Sequence, residues 1–109
     1  MPARDSSEKR TFTYEEAVAL LPEIRRLTEE AYRKVDALEG SPEEAAQDKI
    51  NEIVTIWARA ILEQGVDVKG LWLVDFDNGS GYYCWHYPEA GLQYYHSYED
   101  GFAGRIRIH

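Results

Sequence analysis

Residues 71–87 read LWLVDFDNGSGYYCWHY. Two runs of aromatic and branched residues, Leu71 to Phe76 and Tyr82 to Tyr87, flank Asp77-Asn78-Gly79-Ser80-Gly81, a stretch made of residues that suit turn geometry. The expectation is an antiparallel pair of strands. A third run, Leu92 to Ser97, follows the turn signal Pro88-Glu89-Ala90-Gly91 and extends the pair to a three-stranded meander. Arg105-Ile106-Arg107-Ile108 alternates too and adds a short, charge-protected edge strand as a fourth.

Upstream of these strands the period is helical. Thr13-Tyr14-Glu15-Glu16 has the form of a capping box, in which hydroxyl and carboxylate each take a free backbone N–H. Ala17, Leu21, Ile24, Thr28, Ala31, Val35 and Leu38 then recur at steps of four and three, the seam of a helix packed lengthwise on another. Pro22 lacks the N–H that would bond the carbonyl of Val18, which predicts a kink or a broken first turn. Gly40 ends this helix, and Ser41-Pro42-Glu43-Glu44 has the form of a second capping box with Pro at the first helical position. Ala46, Ile50, Ile53, Trp57 and Ile61 form the second buried stripe, closed by Gly65. The link at Gly40 is short enough to force an antiparallel hairpin. The reading is one α+β domain over 1–109: a helical hairpin over 12–65 packed on a small three- to four-stranded antiparallel sheet over 66–109.

Composition sharpens the contrast between the halves. Ten of the fourteen aromatic residues lie beyond Gly65, in the shorter segment. A net charge of -8 argues against binding nucleic acid through its phosphates, which takes clustered Lys and Arg. The longest apolar run, Ala17 to Leu21, is far short of the ~20 residues of a membrane span, and no basic amphipathic face suits a lipid surface. Arg4, Asp5, Glu8 and Lys9 open the chain with no apolar stretch behind them, unlike a secretory signal. A single cysteine, Cys84, forms no internal disulfide and suits a reducing cytoplasm.

Strand alternation places Leu71, Leu73, Asp75, Tyr83, Trp85, Tyr87, Leu92, Tyr94 and His96 on one face of the sheet. The other takes Trp72, Val74, Phe76, Tyr82, Cys84, His86, Gln93 and Tyr95. A helical hairpin blankets only one of them. Four rings on the uncovered face, at ~150 Å² each, total roughly 600 Å², above the ~400 Å² advised for a monomer surface. The expectation is a covering partner, most simply a second copy about a two-fold axis. The alternative is that the tail after His96 folds back across this face.

Pairing Phe76 with Tyr82 and Tyr87 with Leu92 sets Asp75, Tyr83 and His96 side by side. Asp75 could then orient His96 or share a divalent metal with it. Glu99, three residues on, supplies another oxygen, and the same group would allow acid–base work by His96. A structural hydrogen-bond network is the competing reading. Cys84 and His86 lie two apart and share a face, but lack the second pair that makes such spacing a zinc signature. Asp75-Phe76-Asp77-Asn78-Gly79 fails as a calcium loop: Gly79 stands where a ligand belongs, and His86 occupies the twelfth position. Arg105, after the tight turn Gly101-Phe102-Ala103-Gly104, could clamp an anion but is expected to pair internally with Glu99 or Asp75. Glu89 reads as a solvated turn residue.

Leu20-Leu21-Pro22, Gly65-Val66, Leu73-Val74-Asp75-Phe76, Cys84-Trp85 with Glu89, Tyr95-His96 and Gly101-Phe102-Ala103-Gly104-Arg105 together carry a resemblance over about residues 12–108. The chain resembles a bacterial group of small uncharacterised proteins, the domain of unknown function family 2203. It departs at His86-Tyr87-Pro88, where that pattern runs through a basic residue toward Gly-Glu, and at Tyr95, where Trp is usual. The resemblance implies no activity, but it draws attention to Asp75, Trp85, His96, Gly101 and Arg105. Two functions remain: a cytosolic binding or assembly module that forms a homodimer, and a metal- or small-ligand-binding protein centred on Asp75, His96, Glu99 and Arg105, which leaves catalysis open.

Overall fold

The computed structural model describes residues 10–108. The charged opening Arg4 to Lys9, read above as unlike a signal, lies outside them. Helix α1 (Tyr14–Leu38) starts where the capping box places it: the Thr13 hydroxyl accepts from Glu16 N at 3.1 Å, and the Glu16 carboxylate accepts from Thr13 N at 2.8 Å. It runs unbroken through Pro22, against the expected break, because one missing bond is outweighed by a buried seam from Ala17 to Val35. Helix α2 (Glu44–Glu63) begins without a side-chain cap; the Ser41 hydroxyl accepts from Glu43 N at 3.4 Å before the helix starts, so the second box does not close. The two helices pack on each other as a hairpin, joined by a Trp57 Nε1–H donating to the Thr28 hydroxyl at 2.9 Å.

The sheet has five antiparallel strands in chain order, one more than the upper end of the expected range: β1 (Asp67–Gly70), β2 (Leu73–Asp77), β3 (Gly81–His86), β4 (Tyr94–Ser97) and β5 (Ile106–Arg107). The unforeseen strand is β1, whose Asp67-Val68-Lys69-Gly70 has too few apolar residues to show a period of two. Leu71 and Trp72, read as strand, form the turn into β2, with Trp72 at φ 61. That left-handed backbone is costly for a bulky residue. In return its ring is buried 4.9 Å from Trp57.

Both hairpins differ by one residue from the expected register. Asp77 stays in the ladder opposite Tyr82, so Asp75 faces Cys84 and not Tyr83; on the other side Tyr82, not Tyr83, faces His96. Asn78 closes the first turn, accepting on its side chain from Ser80 N and Gly81 N, both at 2.8 Å. Gly81 leaves room that a Cβ would take from the Tyr95 hydroxyl and the His96 carbonyl. A one-residue slip reverses a strand, and β3 is therefore turned over relative to the expectation.

The helix-covered face carries Val74, Phe76 and Trp85, buried in one core with Ile24, Trp57 and Ile61. Tyr83 faces the same way, edge-on to Tyr14 at 5.4 Å. Asp75, Cys84, Tyr82 and His96 lie on the opposite face and are also buried. Their cover is the tail. Tyr98 lies 5.1 Å from the Tyr82 ring and Phe102 lies 5.6 Å from His86, so the chain's own segment after His96 folds across the centre of this face.

Candidate functional site

Three adjacent strands each contribute one buried polar side chain: Asp75 from β2, Cys84 from β3 and His96 from β4. One donor atom from each lies within 4.8 Å of the other two. All three are nearly inaccessible, at 1, 0 and 5% exposure for Asp75, Cys84 and His96, a depth at which an unpaired polar group is costly.

The hydrogen bonds of His96 fix its chemistry. Nδ1 lies 2.8 Å from the Ser97 carbonyl, which can only accept, so Nδ1 carries a hydrogen. Nε2 then faces Asp75 Oδ2 at 2.9 Å. Between an imidazole nitrogen and a carboxylate oxygen at that distance a proton must sit, or a cation must replace it. The other carboxylate oxygen, Oδ1, is buried and accepts no hydrogen bond. Burial pushes the Asp75 carboxyl above its usual range, against the opposing pull of the Cys84 thiol and His96. Burial and the neighbouring Asp75 carboxylate push the Cys84 thiol up to about 12. Cys84 is therefore a thiol at neutral pH, and unsuited to act alone as a nucleophile.

A pocket of about 330 Å³ opens over this group, lined among others by Lys69, Leu73, Tyr82, Tyr98, Glu99 and Phe102. Tyr98 donates to Asp77 Oδ1 at 2.7 Å, and Lys69 lies over the Tyr82 ring at 4.4 Å. The apolar groove between α1 and α2, lined by Leu27, Ala31, Ile53 and Ile56, offers alkyl groups and one surface ion pair, Lys34–Glu30.

Of the residues singled out from sequence, Asp75 and His96 meet as expected. Glu99 lines the pocket but does not join the close trio, in which Cys84 takes the third place. Tyr83 and Trp85 face the helices instead, a consequence of the reversed β3. His86 stays apart from the cluster, its ring against Phe102. Arg105 does pair internally, but with Glu89 in a two-pronged contact at 2.9 and 3.0 Å rather than with Glu99 or Asp75. Glu89 is not a solvated turn residue: its carboxylate also accepts from His86 N, and its carbonyl from Trp85 Nε1 and Arg25.

The class these features define is an α+β protein with a buried trio of nitrogen, sulfur and oxygen donors beneath a pocket. Residues 10–108 match the model of the family described as Uncharacterized conserved protein (DUF2203), and the chain belongs to that family. No curated protein and no solved structure matches it.

Proposed function

We propose that this chain is a metal-binding protein whose ligand is a divalent transition-metal ion held by Asp75, Cys84 and His96. The observation that carries this reading is the His96–Asp75 contact: Nδ1 is committed to a backbone carbonyl, leaving Nε2 aimed at a carboxylate beside an orphaned buried oxygen and a thiol. Backbone anchoring of the far nitrogen is the usual way a ligating histidine is oriented. One imidazole, one sulfur and one carboxylate suit Zn²⁺ and its neighbours, not Mg²⁺ or Ca²⁺, which call for oxygen shells. Three protein donors leave at least one coordination place to be filled from the pocket, as in sites that act on or sense a small ligand. Among the described residues no helix is long and apolar enough to cross a membrane. A reducing cytoplasm, which would keep Cys84 available, suits the reading. Assembly as a homodimer is the second reading, and its support is weaker because the tail covers the face on which a partner was expected.

The test is elemental analysis of untagged protein together with its His96→Ala variant. The expected result is close to one transition-metal ion per chain in the parent and none in the variant, with no enrichment of magnesium or calcium. A parent that carries no metal and takes up neither Zn²⁺ nor Co²⁺ at micromolar concentration overturns it.

A further inference from the structure

The trio has a fourth neighbour, Arg105, which the sequence places in the same group but expects to pair with Glu99 or Asp75. Arg105 closes the tail over the sheet, and its Nη1 lies 3.9 Å from Cys84 Sγ, within reach of a long N–H···S contact. The guanidinium is held on every side. Both of its terminal nitrogens engage the Glu89 carboxylate, and its carbon lies 4.0 Å from the centres of both the Tyr94 and the Phe102 rings. A planar cation sandwiched between two rings and forked onto a carboxylate has little freedom left, so the approach to sulfur is built in. The local sequence serves this placement. A single 3-10 turn at Phe102–Gly104 brings Phe102 and Arg105 to the same ring stack, and Gly104 packs so closely on Asp100 that a Cβ would lie 2.7 Å from the Asp100 Cβ.

Resting on the metal-binding reading, we infer that Arg105 is a positioning residue for the metal site: it donates to the Cys84 sulfur and balances its charge when that sulfur is a thiolate ligand. The local distribution of charge favours this role. A thiolate beside the Asp75 carboxylate would meet a like charge, and Arg105 is the cation that touches the sulfur among the described residues. Hydrogen bonds donated to a metal thiolate stabilise it and tune the metal. Lys at this position would keep a charge but lose the fork that aims it. The tail thus does more than roof the face: its docking delivers the group that makes Cys84 a competent ligand.

The experiment is a Co²⁺ titration of untagged protein, reading affinity and the sulfur-to-cobalt charge-transfer absorption, with apo melting temperature as a fold check. The parent is expected to bind with that absorption present. Arg105→Met should lose about 10- to 100-fold in affinity, the range for residues supporting a ligand, with the absorption weakened, while Arg105→Lys recovers part of it. Phe102→Ala keeps the charge but removes one of the two rings that aim it, so its loss should be smaller than that of Arg105→Met. Parental behaviour of Arg105→Met overturns the inference, as does an equal loss in Phe102→Ala, which would mean tail packing alone matters. Cobalt binding without the charge-transfer absorption overturns the inference but leaves a metal site standing. Absence of binding in the parent overturns both.

Discussion

The two faces of this sheet are buried to similar depth by opposite means. Beneath the helices, Val74, Phe76 and Trp85 lie against Ile24, Trp57 and Ile61, and every contact is one that burial favours. Beneath the tail, Asp75, Cys84 and His96 are as deeply buried, yet one carboxylate oxygen has no hydrogen-bond partner and one carboxyl is held above its ordinary range. The first face accounts for the stability of the fold. The second works against it, which is the usual mark of residues kept for what they bind.

The comparison breaks most readily at Trp85. Trp85→Ala should cost about 3–5 kcal/mol, measured by urea unfolding, because it empties the centre of the helix-covered core and loses the Nε1 bond to the Glu89 carbonyl. A cost below about 1 kcal/mol would put the core elsewhere. Cys84→Ser should fold with a melting temperature near the parent's and lose most metal affinity, since a hydroxyl replaces sulfur at constant shape; retained affinity would remove Cys84 from the ligand set.

Asp75→Asn draws the sharpest line between the faces. An amide can donate to His96 Nε2 and carries no buried charge, so apo stability at neutral pH should hold or rise while metal binding disappears. A raised carboxyl pKa adds stability below the unfolded value, and that contribution is lost as pH rises through the folded one. The variant should therefore also lack this fall in stability with rising pH that the Asp75 carboxyl gives the parent. A sharp fall in its melting temperature would mean the pair is structural. The smallest effect is expected at Glu99, which lines the pocket outside the trio: Glu99→Gln should shift stability by no more than about 0.5 kcal/mol and leave metal stoichiometry intact, as read by calorimetry and elemental analysis.

Much of the architecture was legible because it rests on strong, local signals. The Thr13 box, the seam from Ala17 to Val35 and the glycines at 40 and 65, both at positive φ, mark the helical hairpin without reference to anything distant. The site was legible only in part. Asp75 and His96 fall on alternate positions of β2 and β4 that survive the slip, whereas β3 between them is turned over by the shorter turn at Asn78. That single residue exchanged Tyr83 for Cys84 at the centre of the group. Asp77, which accepts from Gly79 N at 2.9 Å, is the residue whose turn-capping side chain could have signalled the tighter loop. The roles of Glu89 and Arg105 depend on a tail folding back over sixteen positions of chain, which no periodicity records.

X-ray absorption at the zinc edge of protein loaded with one equivalent of Zn²⁺ addresses the claim at the metal itself. One sulfur at about 2.3 Å, with nitrogen and oxygen neighbours at about 2.0–2.2 Å, is the spectrum expected of Asp75, Cys84 and His96. A shell of light atoms alone, with no sulfur, would contradict it.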